Sequence, residues 1–158
     1  MNHRIVEVKK LRGESRTVSV EADQVVYIAD TVESQIAIRG KCMKVVIVDV
    51  QKCLISVDAA TCTVEIARAK NSLLFVGKCP MTVLEQCVEC RVGTSMEKTE
   101  LRMRRSTALS LVTVEDAHGK SLEELDEICR AQSEEQLPEE IQVLLENGSV
   151  KSNIVKNI

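Results

Sequence analysis

The triplet Gly40-Lys41-Cys42 recurs 37 residues later as Gly77-Lys78-Cys79. Between the two marks lie four short apolar runs, Val45 to Val48, Leu54 to Val57, Val64 to Ile66 and Leu73 to Val76. Such runs are strand-sized, and their spacing divides the interval into two units of about 18 to 19 residues, each with two strands and two turns. That is the period of a parallel β-helix, in which each strand pairs with its equivalent one coil away.

The pattern extends to both sides. Val6 and Val8 alternate with polar residues, as do Val18 and Val20 beyond a turn at Gly13, and together they make one coil. Val26 and Ile28 with Ile36 and Ile38 make the next, and Leu101 and Met103 with Leu109 and Leu111 make a sixth. Corresponding apolar pairs are matched at 20 residues from Val6 to Val26 and at 18 from Val18 to Ile36. Relative to the repeated triplet, Thr82 and Leu84 stand where Val45 and Ile47 stand. These four are therefore expected inside, and Val46, Val48, Val83 and Glu85 outside, because strand side chains alternate. Six coils at the interstrand spacing make a prism about 25 to 30 Å long. Both of its ends expose strand edges and need caps.

A narrow interior of this kind suits the composition. Aromatic residues are 1% of the chain, Tyr27 and Phe75 alone, with no tryptophan, so the core must come from Val, Ile, Leu, Met and Cys. The same scarcity argues against binding of carbohydrate or single-stranded nucleic acid, both of which use aromatic stacking platforms. A net charge of −3 without a basic arm gives nucleic acid no electrostatic footprint. No apolar run reaches the roughly 18 to 20 residues of a membrane span, and the beginning of the chain lacks a signal-peptide pattern. A cytoplasmic chain with no membrane partner is expected. Seven cysteines, an odd number without secretory context, read as free thiols.

The chain divides as one domain into coils over 1–113, an acidic connector over 114–136 and a tail over 137–158. Residues 115–140 hold ten acidic residues against Lys120 and Arg130. Within them Ser121-Leu122-Glu123-Glu124 has the form of a capping box, and Leu122, Leu125 and Ile128 share one helical face. The spacing predicts a short helix over 122–131, lying over the last coil. After Pro138, two strand-like runs, Ile141 to Leu145 and Val150 to Val155, flank Asn147-Gly148, the strongest short-range hairpin signal. A two-stranded hairpin is marginal alone. It needs an edge, either of its own stack or of a second copy.

Candidate chemistry is sparse. Cys87-Val88-Glu89-Cys90 has the spacing of half a zinc site, but a structural site takes four ligands and the chain's histidines are only His3 and His118. Strand alternation would also send Cys87 and Cys90 to opposite faces. No metal, no cofactor and no catalytic residue is expected, and His118 reads as a loop histidine. Cys42 and Cys79, at equivalent turns, read as small packing residues stacked between coils. Lys41, Arg68, Lys70 and Lys78 all belong to the central coils and would form one basic stripe if their turns stack, which would favour an acidic protein partner.

In order along the chain, Val26-Tyr27-Ile28, Ile38-Arg39-Gly40-Lys41, Val64-Glu65-Ile66, Gly77-Lys78-Cys79-Pro80 and Leu137-Pro138-Glu139-Glu140-Ile141 with Asn147-Gly148 resemble the C-terminal domain of cyclase-associated proteins. The resemblance covers roughly residues 20 to 158. It implies an all-β fold, a right-handed parallel β-helix of about six coils with a C-terminal β-hairpin exchanged between the two subunits of a homodimer. It further implies a non-enzymatic partner of monomeric actin, preferably ADP-bound, that promotes replacement of ADP by ATP and so regulates filament turnover in the actin cytoskeleton. The family's helical domain, proline-rich segments and short actin-binding motif have no counterpart here, so a short form reduced to the β-helix is expected. Where the family reads Ser-Lys-Asn-Ser this chain has Gly93-Thr94-Ser95-Met96, and Ile141 stands in place of an aromatic residue.

On this reading Lys41, Arg68, Lys70, Lys78, Pro138 and Glu139 are actin-binding candidates, and Ile141, Val143, Val150 and Ile154 dimer candidates. Two other classes compete. Gln86-Cys87-Val88-Glu89-Cys90-Arg91 bears a likeness to the arginine-bearing strand of tubulin cofactor C relatives, which would make Arg91 the active group of a GTPase-activating regulator. A self-assembling scaffold of stacked β-helices is the third class.

Overall fold

The computed structural model describes residues 4–95, 98–115, 117, 119–132, 135–137, 141–146 and 149–153. Six parallel coils are built from β1 (Arg4–Lys9), β2 (Ser15–Ser19), β3 (Gln24–Val32), β4 (Gln35–Gln51), β5 (Leu54–Lys70), β6 (Leu73–Lys78), β7 (Met81–Glu85), β8 (Arg91–Thr94), β9 (Thr99–Arg104) and β10 (Leu109–Thr113). One face stacks β1, β3, the second halves of β4 and β5, β7 and β9; the other stacks β2, the first halves of β4 and β5, β6, β8 and β10. The runs Val45 to Val48 and Val64 to Ile66 are thus not separate strands. They are the later parts of two 17-residue strands that pass from one face to the other at a bulge.

The inward phase follows the alternation. Val45, Ile47, Thr82 and Leu84 are buried, as are Leu101, Met103, Leu109 and Leu111, while Val46, Val48 and Val83 are half-buried on the outer surface and Glu85 is exposed. The pairing register differs in one coil: Val18 pairs with Ile38, and Ile36 with Arg16. A two-residue slip leaves every side chain on its own face, so hydrophobic pattern alone could not separate the two registers. No aromatic ring enters the central core cluster, which is aliphatic and sulfur-containing.

The corners between the two faces are set by backbone conformation. Lys10, Asp30, Asp49, Arg68, Gln86 and Arg105 all have φ between 50° and 59°. Three residues later in each coil, Gly13, Glu33, Lys52, Asn71, Glu89 and Ala108 have φ between 48° and 63°. Eleven of these twelve residues carry a Cβ, although the left-handed region favours glycine. Side chains just past the bends hold them. Ser34 Oγ donates to Val32 O (2.9 Å) and accepts from Glu14 N (3.1 Å) in the coil before. Ser72 repeats this with Lys70 O (2.8 Å) and Cys53 N (3.1 Å), and Ser106 with Arg104 O (3.0 Å) and Cys87 N (3.1 Å). The thiols of Cys53, Cys87 and Cys90 likewise donate to the carbonyl two residues back, those of Gln51, Glu85 and Val88.

The predicted helix is α1 (Leu122–Ala131), and Ser121 Oγ accepts from Glu124 N at 3.1 Å as its N-cap. It lies partly over the last coil, against Val112 and Val114. It covers the outer flank of the second face, where Leu125 and Cys129 pack on Leu73, Phe75, Val112 and Val114. Those residues point away from the core and would otherwise leave an apolar sheet surface bare. Gly93 makes room for this berth, since a Cβ there would meet Phe75 at 2.8 Å.

Three further strands close the C-terminal end. β11 (Glu135–Leu137) adds antiparallel to β10, β12 (Ile141–Glu146) antiparallel to β9, and β13 (Ser149–Asn153) antiparallel to β12. The predicted hairpin is thus present as a strand pair, with its Asn147-Gly148 turn outside the described residues. β11, read from sequence as part of the acidic connector, is its companion on the other face. At the opposite end the first coil leaves β1 and β2 as edges, with Ile5 65% exposed and Arg4 paired to Glu21 and Asp23. Charged edge residues of this kind discourage further strand pairing.

Candidate functional site

The repeated triplet marks the turn that returns each coil to the first face. At Gly40 (φ 101°) β4 carries one residue more than β5, and Gly40 N donates to Asp58 Oδ2 at 3.0 Å. A Cβ on Gly40 would lie 2.9 Å from Val20 O, and one on Gly77 would lie 2.4 Å from Asp58 O. Both glycines are therefore required by close backbone approach. Lys41, Ala59 and Lys78 follow as one ladder, so the two exposed lysines sit two coils apart, about 10 Å, on a single ridge. Arg39 pairs with Asp58 beside them at 3.3 Å.

Arg68 and Lys70 lie elsewhere, on the corner between the faces. Arg68 occupies a left-handed position and forks onto Asp49, Nε to Oδ1 at 2.6 Å and Nη2 to Oδ2 at 3.1 Å. The guanidinium holds the Asp49 carboxyl below its ordinary value. Lys70 flanks an open cleft of about 400 Å³ with Asp30, Asp49, Gln51 and Gln86. Lys70 precedes β6 and Lys78 ends it, so a strand's length separates the two pairs. The four cations form two ridges, not one stripe, because their turns are not equivalent turns of the coil.

The tail candidates divide similarly. Ile141 and Val143 stand on β12 opposite Met103 and Leu101, and Val150 stands on β13 opposite Leu145. Pro138, Glu139 and Ile154 lie outside the described residues, as do His3 and His118.

Cys87 and Cys90 do not point to opposite faces. Both thiols are buried, because the left-handed Glu89 between them bends the chain and strand alternation does not cross the bend. Burial pushes the thiols of Cys42, Cys53, Cys79 and Cys87 up, and that of Cys90 up to about 12. Among the described residues no group of three His, Cys, Asp or Glu is placed to hold a metal ion. Nor is any helix among them long and apolar enough to cross a membrane.

Arg91 is held down by α1. Its Nη2 lies 2.6 Å from Asp126 Oδ1, with the two side chains 20% and 16% exposed, and Asp126 Oδ2 also accepts from Arg130 Nε at 2.9 Å. An arginine engaged under a helix is poorly placed to reach another protein's nucleotide. Sequence reasoning missed Asp126, whose partner is 35 residues away. The continuous apolar run Leu73-Leu74-Phe75-Val76 was the signal that could have located the helix, since a strand apolar on both sides is covered on both sides.

Among curated proteins none matches this chain. A solved structure described as the cyclase-associated protein from Cryptosporidium parvum superposes with a TM-score of 0.72 over 98% of this chain and 93% of that one, at 16% identity. At that identity the likeness establishes the shared coil architecture. A family model described as "Adenylate cyclase associated (CAP) C terminal" matches residues 2–157. By that match, over nearly its whole length, the chain belongs to the family of cyclase-associated protein C-terminal domains.

Proposed function

We propose that this chain is a cytoplasmic binding protein for monomeric actin that promotes exchange of bound ADP for ATP without catalysing any reaction of the nucleotide. The observation that carries the reading is the family match across residues 2–157. The surface is compatible with it: Lys41 and Lys78 make an exposed cationic ridge that suits an acidic protein partner, whereas the charge of Arg68 beside Lys70 is already met by Asp49. A binding protein accelerates exchange only by holding the open, nucleotide-free form of its partner more tightly than the ADP-bound form it first meets. We further infer a homodimer in which β12 and β13 are exchanged, each β12 completing the partner's β9 edge, since such a pairing protects the same strand edges.

Release of a fluorescent ATP analogue from monomeric actin tests the first claim directly. The full chain is expected to accelerate release. Lys41→Glu with Lys78→Glu should lower actin affinity at low salt, and Lys70→Glu should do so only if the second ridge also docks. No acceleration, together with no co-migration with actin on gel filtration, would remove the proposal.

A further inference from the structure

Ala59 pairs with Lys78 and Thr63 with Met81, so Ala60, Thr61 and Cys62 stand opposite only Cys79 and Pro80. In this irregular turn Cys62 is exposed, whereas the other six cysteines are buried. Cys79 is the near-buried neighbour, and its Sγ lies 3.9 Å from the carbonyl oxygen of Cys62 and 3.1 Å from that of Met81. The offset of one residue between adjacent rungs places the two Cα atoms about 6 Å apart, a separation that a disulfide spans, but Cys79 faces the core and Cys62 faces solvent, so the bond forms only after the turn rearranges. Cys42 sits in the same ladder as Ala60 and Cys79, two rungs from Cys79 and about 10 Å away, beyond the reach of a bond without backbone movement.

We infer that Cys62 and Cys79 form a redox pair, with Cys62 the site attacked by peroxide-class oxidants and Cys79 the thiol that resolves it into a disulfide joining two successive coils. The Cys62 thiolate attacks one peroxide oxygen; an S–O bond forms, the O–O bond breaks, and water leaves after proton uptake. The Cys79 sulfur then attacks the Cys62 sulfur, the S–O bond breaks, and the hydroxyl leaves as a second water with the Cys79 proton. Two thiols are oxidised by two electrons and one peroxide is reduced to two waters. Exposure sets the order: Cys62 meets solvent, while burial keeps Cys79 protonated and shielded until the turn rearranges. The resulting bond staples the turn that carries Lys78, so oxidation would stiffen one cationic ridge.

Treatment of the folded full chain with hydrogen peroxide, followed by alkylation and mass analysis without reductant, tests the pairing. The expected product is a monomeric chain lighter by two hydrogens, with the peptides bearing Cys62 and Cys79 linked, restored by dithiothreitol. Cys62→Ser should abolish it; Cys79→Ala should leave a Cys62 sulfenic acid that dimedone captures; Cys42→Ala should change neither. A covalent dimer through Cys62, or Cys62 oxidised beyond sulfenic acid while Cys79 remains alkylatable in the wild-type chain, would overturn the inference.

Discussion

Ser72 shows what a single small side chain does in this fold. Its hydroxyl closes the bend of its own coil onto Lys70 O and receives Cys53 N–H from the coil before, so one oxygen joins two rungs. Ser72→Ala would leave a fully buried amide without its acceptor, at a cost of about 1 to 3 kcal/mol. Urea unfolding should show a lower midpoint with unchanged slope, and an unchanged midpoint would mean that the bend does not depend on the hydroxyl. Ser34 and Ser106 make the same pair of bonds, yet nothing in the sequence announced them as corners. The bends fall on Asp, Arg, Gln, Glu, Lys, Asn and Ala, and the usual glycine signal appears only at Gly13. What was legible at this scale was the side on which Val45, Ile47, Thr82 and Leu84 lie, since a period of two fixes it wherever one face is buried.

At the scale of elements, α1 combines a local signal with a distant one. The capping box located its start and the spacing of Leu122, Leu125 and Ile128 its extent. Its berth depends on Leu73, Phe75, Gly93, Val112 and Val114, which three separate strands bring together. The apolar run from Leu73 to Val76 marked one strand of that berth, but no local pattern brought the other two beside it. The Arg91–Asp126 pair fixes the helix in place, and because both groups are largely removed from water its loss leaves an uncompensated guanidinium whose Nε already lacks a protein partner. Asp126→Ala is expected to cost about 1 to 3 kcal/mol. Hydrogen exchange should show the amides of α1 losing protection while those of β4 and β5 keep theirs. Unchanged protection in α1 would show that apolar packing alone holds the helix.

Over the whole molecule, the five buried thiols with raised pKa make stability depend on alkaline pH. Each remains protonated in the folded chain at a pH where the unfolded chain has ionised it, so the unfolded state binds fewer protons and stability falls as pH rises. The contribution is intact below the unfolded thiol value of about 8.5 and is lost upward, toward about 12 for Cys90, at up to about 1.4 kcal/mol per pH unit per thiol. Denaturant unfolding at several pH values between neutral and strongly alkaline should show this decline, and Cys90→Ala should make it shallower. The six-coil architecture was legible because its period survives in the apolar runs; the closure of the C-terminal end was legible only in part, since β11 is too short to carry a pattern.

The twelve left-handed residues give the molecule a fixed gauge on one side and slack on the other. The spacing from bend to bend is three residues in every coil, while paired positions such as Val6–Val26, Val45–Val64 and Val64–Thr82 are separated by 20, 19 and 18 residues. All length variation is taken up elsewhere on the circuit, as at the turn where Ala60, Thr61 and Cys62 face only Cys79 and Pro80. A residue added or dropped at that outer turn would therefore reshape what it presents to a partner, while the thread on the bend side keeps its pitch.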